Sequence, residues 1–138
     1  MLEIKLNFRG YWREINKSGI PNVKGVYFVY RCLYNSANDT VSLKELVYIG
    51  QSQDVNNRIA EHSANKDFDS VLQNDETLCY SVAEVSSNLD LIENALIYMQ
   101  KPRCNKKLTD TYSYEDASFD LGGRCSLVRY NSFTITNK

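Results

Sequence analysis

Apolar segments along the chain predict three β-strands. VKGVYFVYRCLY (23–34) and ELVYIG (45–50) are rich in the valine and aromatic residues that favour strands. LCYSVAEV (78–85) is a third segment of this kind. The polar segment NSANDT (35–40) has the composition of a turn. The first two strands are therefore expected to form a hairpin with a long loop.

Two segments with a helical period follow the strands. SQDVNNRIAEHSAN (52–65) predicts a helix with Ser52 or Asp54 as its N-cap. SSNLDLIENALIYMQK (86–101) predicts a second helix that Pro102 ends. The predicted order is β-β-α-β-α, which indicates an α+β domain with a small antiparallel sheet.

The two ends of the chain carry further patterns. FRGYWREINK (8–17) predicts a short helix, and RCSLVRYNSFTI (124–135) predicts a C-terminal β-hairpin. At 138 residues the chain has the length of one domain, residues 1–138. Residues 111–138 then form a C-terminal extension of that domain.

Composition and charge narrow the class of protein. With 43% hydrophobic and 24% charged residues, the chain has the composition of a soluble globular protein. No apolar run approaches the roughly 20 residues of a membrane span, and the N-terminus lacks the apolar core of a signal peptide, so a cytoplasmic location is expected. Net charge is −1, with basic segments at 1–31 and 101–138 around an acidic middle. These flanks would suit a phosphate backbone if they form one patch; otherwise they scatter over the surface.

The cysteines predict neither a disulfide framework nor a zinc site. The chain has four, widely spaced and without a C-x-x-C pair: Cys32, Cys79, Cys104 and Cys125. Separate buried thiols are the expectation.

The first predicted helix places two polar side chains on its apolar stripe. Val55, Arg58, Ile59 and His62 have the spacing i, i+3, i+4, i+7. Arginine presents a planar set of donors to phosphate oxygens, and histidine titrates near neutral pH. The pair could therefore bind phosphate and transfer a proton. Alternatively, Arg58 pairs with Glu61 and His62 is a hydrogen-bonded residue at the edge of the core.

The second predicted helix carries a carboxylate among apolar positions. Glu93 lies four residues after Leu89 and four before Ile97. A carboxylate on a core-facing side is costly unless it is paired or binds a cation. Glu93 is thus either a ligand of a hard divalent cation, which needs only one or two protein carboxylates, or a partner in a salt bridge, for example with Arg58.

Other polar residues have two interpretations each. Tyr27 and Tyr48 on the predicted hairpin would ordinarily be packing residues. Asn105 would cap a loop or contact substrate. Around it lies the densest basic run of the chain, which is either solvated surface or a set of backbone contacts to nucleic acid: Lys101, Arg103, Lys106 and Lys107.

The joint order of these residues is more specific than any one of them. It reads GVY at 25–27, YIG at 48–50, then Arg58 and His62 on one helix, Glu93 on the next, and Asn105. Over about residues 20–110 this order resembles the GIY-YIG nuclease family, with Val26 where the first half-motif has isoleucine.

The resemblance implies a fold and an activity. The fold is a three-stranded antiparallel sheet flanked by helices. The activity is hydrolysis of phosphodiester bonds in DNA that depends on a divalent metal, Mg²⁺ or Mn²⁺.

The resemblance also implies roles for the hairpin residues and the helical histidine. Tyr27 corresponds to the first motif tyrosine, the general base or the residue that positions it. Tyr48 corresponds to the second, which orients water or phosphate, and Gly50 lets the chain pass close to the site. His62 matches a histidine found in a subset of the family.

The remaining site residues correspond to charged and bracing positions. Arg58 resembles the arginine that stabilises the phosphorane-like transition state. Glu93 resembles the single metal ligand, and Asn105 the asparagine that braces the site.

Two departures from the family pattern bear on how DNA would be found. The two motif tyrosines are further apart than in the family's short hairpin, which predicts an excursion between Arg31 and Lys44. The C-terminal extension is too short for a DNA-binding domain, so target choice would rest on the domain itself, on a homodimer or on a targeting partner protein. The alternative function is a GIY-YIG fold that binds nucleic acid or protein without cutting.

Overall fold

The computed structural model describes residues 1–137. Six strands and two α-helices follow one another with two short 3₁₀ turns at Glu14–Gly19 and Asp69–Val71. The strands are β1 (Leu2–Arg13), β2 (Gly25–Asn35), β3 (Thr40–Ser52), β4 (Thr77–Glu84), β5 (Ala117–Gly123) and β6 (Ser132–Ile135). The helices are α1 (Val55–Ala64) and α2 (Leu89–Gln100).

The predicted β-β-α-β-α order is present in the middle of the chain. Strands β2, β3 and β4 pair antiparallel, with β2 between the other two. Asp54 caps α1 by accepting a hydrogen bond from the amide of Asn57 at 3.2 Å, so of the two predicted N-caps it is Asp54 that acts. Lys101 ends α2 in a left-handed conformation, immediately before Pro102. The α+β class is therefore confirmed.

The sheet is larger than three strands. All six strands form one mixed sheet in the order β3-β2-β4-β1-β5-β6, in which β1 and β5 are parallel and the other pairs antiparallel. The helix predicted over residues 8–17 is wrong, because β1 extends to Arg13 and only the 3₁₀ turn follows. Pairing with β4 on one side and β5 on the other determines the conformation of this segment.

The predicted excursion and the predicted C-terminal hairpin also differ from expectation. Residues 31–44 are not an irregular excursion, since β2 and β3 continue as a paired hairpin as far as Asn35 and Thr40. The hairpin predicted within 124–135 is shifted: β6 lies there, but its partner β5 precedes that segment, and the intervening residues connect the two.

The two faces of the sheet are packed differently. On β2, Val26, Phe28 and Tyr30 join the larger core, which contains α2. The alternate residues Tyr27 and Val29 join a smaller core with residues of α1. Because side chains alternate along a strand, β2 divides these cores and places Tyr27 on the α1 side.

The cysteine prediction is wrong for one pair. Cys32 on β2 and Cys79 on β4 form a disulfide, with their Cα atoms 6.4 Å apart. Adjacent strands bring together residues that are distant in sequence, which spacing alone does not reveal. Cys104 and Cys125 are free thiols, as expected.

No helix within residues 1–137 has the length and apolar character needed to cross a membrane.

Candidate active site

Tyr27 lies directly opposite Gly50 in the β2–β3 hairpin. A Cβ atom at position 50 would collide with the phenol ring of Tyr27. The glycine is therefore needed for close approach of the strand to the ring. Tyr48, paired with Val29, emerges on the same face of the sheet.

A buried histidine on α1 meets the hydroxyl of Tyr27. His62 is 4% exposed, and its Nε2 lies 2.7 Å from the Tyr27 oxygen. Its other ring nitrogen, Nδ1, lies 2.7 Å from Oδ2 of Asp67, in the loop after α1. We name the line Asp67–His62–Tyr27 the proton relay.

The carboxylate of Asp67 decides the direction of the proton relay. A carboxylate accepts hydrogen bonds, so Nδ1–H of His62 donates to Asp67. In the neutral ring Nε2 then carries a lone pair and accepts from the Tyr27 O–H. Burial lowers the pKa of His62 below its ordinary value and the bond to Asp67 opposes that shift, so the ring is neutral and able to accept a proton at pH 7.

Tyr27 itself is a weak acid in this environment. It is 1% exposed, and burial raises the pKa of its hydroxyl far above the usual value, with Tyr48 adding to the shift and Arg58 opposing it. Ionisation of this hydroxyl alone is strongly disfavoured. Proton transfer from Tyr27 is favourable only when its oxygen gains a proton from elsewhere.

Tyr48 is the more exposed of the two motif tyrosines. Its ring meets the His62 ring edge-on at a centroid distance of 5.4 Å and lies 4.9 Å from the ring of Phe68. Burial raises the pKa of its hydroxyl, the charge of Glu93 adds to that shift and the charge of Arg58 opposes it. Tyr48 thus connects the buried proton relay with the surface.

Arg58 lies at the mouth of the site. Its side chain is 41% exposed, and its only ion pair within residues 1–137 is with Glu61 at 3.6 Å. Its charge lowers the pKa of both Tyr27 and Tyr48. Arg58 therefore has the loose partner on its own helix that one interpretation of the sequence offered, and its charge acts on the tyrosines.

Glu93 is half-buried and has only a neutral partner. Nε2 of Gln51 donates to its Oε1 at 3.3 Å and also donates to Asp90. Burial raises the pKa of Glu93, with Gln51 opposing and the charge of Asp90 adding to the shift. Within residues 1–137 no cationic side chain forms an ion pair with Glu93, so the predicted alternative of a bridge to Arg58 is absent.

This environment fits a divalent cation held by one carboxylate. No group of three histidine, cysteine, aspartate or glutamate side chains that could hold a metal occurs in residues 1–137. A Mg²⁺ site completed by water and substrate oxygens needs no such group. The uncompensated carboxylate of Glu93 is the residue that would hold it.

Asn105 braces the edge strand β3 through its backbone. Its side chain accepts a hydrogen bond from the Ile49 amide and donates one to the Ile49 carbonyl, both at 2.9 Å. The oxygen and the nitrogen of the Asn105 side-chain amide are thus both hydrogen-bonded to the backbone of Ile49, next to Gly50. Asn105 positions the strand.

The basic run around Asn105 divides into engaged and free residues. Lys101 lies 4.5 Å above the ring of Tyr98, and Arg103 bonds to Glu45 at 2.9 Å. Lys106 and Lys107 are exposed and have no ion-pair partner within residues 1–137.

The structure thus brings Tyr27, Tyr48 and His62 into contact and places Arg58 and Glu93 near them. Sequence reasoning missed Asp67, since a single acidic residue in a loop five positions after a histidine has no pattern that marks it.

Comparison with known proteins gives one match, to a family model. The profile described as the GIY-YIG catalytic domain matches residues 24–108, which contain both motif tyrosines, α1, α2 and Asn105. No curated protein and no solved structure matches the chain. The matched segment covers more than half of the sequence, and the chain therefore belongs to the GIY-YIG family, a family of nucleases.

Proposed function

We propose that the chain is an endonuclease that hydrolyses phosphodiester bonds in DNA with Mg²⁺ or Mn²⁺. The observation that carries the proposal is the proton relay, in which the Tyr27 oxygen lies 2.7 Å from a buried histidine that Asp67 orients. Hydrolysis of a phosphodiester needs a route for the proton of the attacking water. The proton relay provides that route.

The proton moves inward from the surface. The hydroxyl of the partly buried Tyr48 orients the water, whose oxygen forms the new bond to phosphorus as the bond from phosphorus to the leaving oxygen breaks. Its proton passes to the tyrosine pair, and the Tyr27 proton passes to Nε2 of His62. The resulting imidazolium is stabilised by the Asp67 carboxylate. Because each tyrosine gains a proton as it loses one, neither has to exist as a free phenolate.

Charge on the phosphate is neutralised on the other side of the site. Arg58 supplies a fixed positive charge for the non-bridging oxygens, an effect that is strongest in the transition state. A divalent cation on Glu93 would supply Lewis acidity and stabilise the leaving oxygen. Glu93 and Arg58 thus flank the tyrosines with complementary functions.

A plasmid assay tests the proposal. Purified protein is incubated with supercoiled plasmid in Mg²⁺, in Mn²⁺ and in chelator, with a single-stranded RNA in parallel. Nicked or linear plasmid is expected with either metal and none in chelator. Binding to the plasmid without cleavage would instead support the non-catalytic binding module, and cleavage of RNA alone would contradict DNA as the substrate.

A further inference from the structure

An open groove with a positive lining lies along the edge strand β3, outside the candidate active site. Its volume is about 380 Å³. Four cationic side chains line it: Lys44, Lys101, Arg103 and Arg129. The carboxylate that lines it, Glu45, already accepts through Oε1 from Arg31 and Arg103, each at 2.9 Å. The groove therefore keeps an excess of positive charge.

The C-terminal segment contributes Arg129, and a buried side chain fixes its backbone neighbour. Gln100 is 4% exposed. Its Nε2 donates to the carbonyl of Tyr130 at 2.7 Å, and its Oε1 accepts from the amide of Tyr130 at 3.0 Å. Both polar ends of the amide hold the chain beside Arg129. This residue is thus placed at the groove by the end of α2.

Two of the groove's cations, Lys44 and Arg129, have no ion-pair partner in the part of the chain that the structure describes. Both side chains are exposed. Lys44 comes from β3 and Arg129 from the segment between β5 and β6, so two elements distant in sequence converge here. Free cations that two separate elements bring to one groove suit the phosphates of an anionic chain.

The loop after α2 leads from this groove to the candidate active site. Arg103 bonds to Glu45, and two residues later Asn105 bonds to Ile49, four positions further along β3. Four strand residues span about 13 Å. Phosphates follow at about 3.4 Å per base pair along one strand of B-DNA, so this distance corresponds to roughly four base pairs.

We infer that the basic groove (Lys44, Lys101, Arg103 and Arg129) binds the phosphate backbone of the DNA substrate roughly four base pairs from the cleaved bond. The inference rests on the proposed nuclease function. The inference also gives the C-terminal extension a role, since its residue Arg129 contributes one of the contacts to the DNA backbone.

Salt-dependent binding tests the basic groove. Two variants are compared. The parent carries Glu93→Gln so that binding is measured without cleavage, and the groove variant adds Lys44→Ala and Arg129→Ala. Loss of two phosphate contacts should reduce the slope of log K against log salt by about two units. Affinity should fall to the same extent on duplexes of unrelated sequence.

A matched control separates the groove from general charge. Lys5 and Arg9 on β1 are exposed and have no ion pair within residues 1–137, so Lys5→Ala with Arg9→Ala removes the same charge elsewhere. This control should leave the salt slope near that of the parent. In addition, the parent and the groove variant should have equal affinity for duplexes that have been shortened from one end until they no longer reach the groove.

The outcomes distinguish the inference from the function on which it rests. If the wild-type chain cleaves plasmid and the groove variant has an unchanged salt slope, the inference about the groove is wrong and the nuclease function stands. If the salt slope depends on the groove but no cleavage occurs, the nuclease function is wrong and DNA binding by the groove stands. Competition by a mononucleotide as strong as that by the duplex would also overturn the inference, because the groove would then hold a single phosphate.

Discussion

The two sides of the candidate active site differ in how their polar groups are satisfied. On the proton relay, each ring nitrogen of His62 has a partner at 2.7 Å, Tyr27 on one side and Asp67 on the other. On the opposite side, which we name the charge side, Glu93 has only the amide of Gln51 and Arg58 has a 3.6 Å contact with Glu61.

This difference shows which part of the site the protein completes by itself. A buried polar group without a partner costs free energy of folding, and the proton relay avoids that cost internally. On the charge side that cost remains at the half-buried carboxylate of Glu93, and a bound cation would remove it. Substitutions on the charge side should therefore reduce the rate while preserving or raising stability, whereas substitutions in the proton relay should affect both.

The largest effect is expected for Glu93→Gln. Loss of several kcal/mol of Lewis-acid stabilisation, about 4 kcal/mol for example, corresponds to about 10³-fold in rate. Plasmid cleavage in Mg²⁺ should therefore fall at least to that extent, while the circular dichroism spectrum stays unchanged. The matched control is Asp90→Asn, which alters the other acceptor of Gln51 and should cost much less.

The same Glu93→Gln variant should be more stable than wild type in chelator. Burial holds the folded-state pKa of Glu93 above its ordinary value of 4.5, so the folded state retains a proton that the unfolded state releases. Stability is then lost as pH rises through this window and stays lost at neutral pH. A lower Tm for the variant at pH 7 would contradict an uncompensated carboxylate.

Arg58→Ala should reduce kcat on the order of 10²–10³-fold, by analogy with the loss of one preorganised transition-state donor. Binding of DNA should weaken far less, because Arg58 acts mainly on charge that develops during the reaction. Single-turnover cleavage and binding titrations measure the two effects separately. Equal losses in both would make Arg58 a simple phosphate contact, and Glu61→Gln serves as the control for its loose ion pair.

The motif tyrosines should differ when each loses only its hydroxyl. Tyr27→Phe breaks the link to His62 and should lower the cleavage rate on the order of 10²-fold, the lower range for general acid–base catalysis. Tyr48→Phe should be milder, since Tyr48 is less buried than Tyr27 and solvent can take the place of its hydroxyl. If Tyr48→Phe lowers the cleavage rate more than Tyr27→Phe does, Tyr48 is the group that receives the proton from water.

The charge side was predictable from sequence to a greater extent than the proton relay. Arg58 and Glu93 stand out because each interrupts an apolar stripe with helical period, and a local pattern is enough to mark them. Asp67 reaches His62 only because the chain turns back after α1, which no local pattern records. The roles of all these residues stay predictions.

The fold shows the same contrast between local and distant determinants. The antiparallel β2–β3–β4 core follows from apolar segments and turn residues. Strand β1 was mistaken for a helix over residues 8–17, although the alternation of Leu2, Ile4, Leu6 and Phe8 just before it is typical of a strand. Its position between β4 and β5, like the disulfide of Cys32 with Cys79, depends on pairing between distant segments.

Asp67→Asn is expected to lower the rate about tenfold while shifting its pH dependence. The bond to Asp67 raises the pKa of His62, so its loss should move the acid limb of the pH–rate profile to lower pH. The plateau should fall because a weaker base takes up the proton less readily. An unchanged acid limb would show that His62 is not the group that titrates, and Asp69→Asn in the next turn is the matched control.

The smallest effect is a pH dependence of stability that arises from the proton relay alone. Burial holds the folded-state pKa of His62 below the ordinary value of 6.5, so on acidification the unfolded state binds a proton before the folded state does. Stability from the neutral ring is complete above 6.5 and is lost as pH falls through the window below it. Uptake of one proton changes the free energy of unfolding by at most about 1.4 kcal/mol per pH unit. Urea unfolding between pH 7 and pH 5 should show this decline in wild type and a flatter profile in His62→Gln, whose side chain does not titrate. Equal slopes in the two proteins would mean that other groups set the acid response, and that the proton relay adds nothing to it.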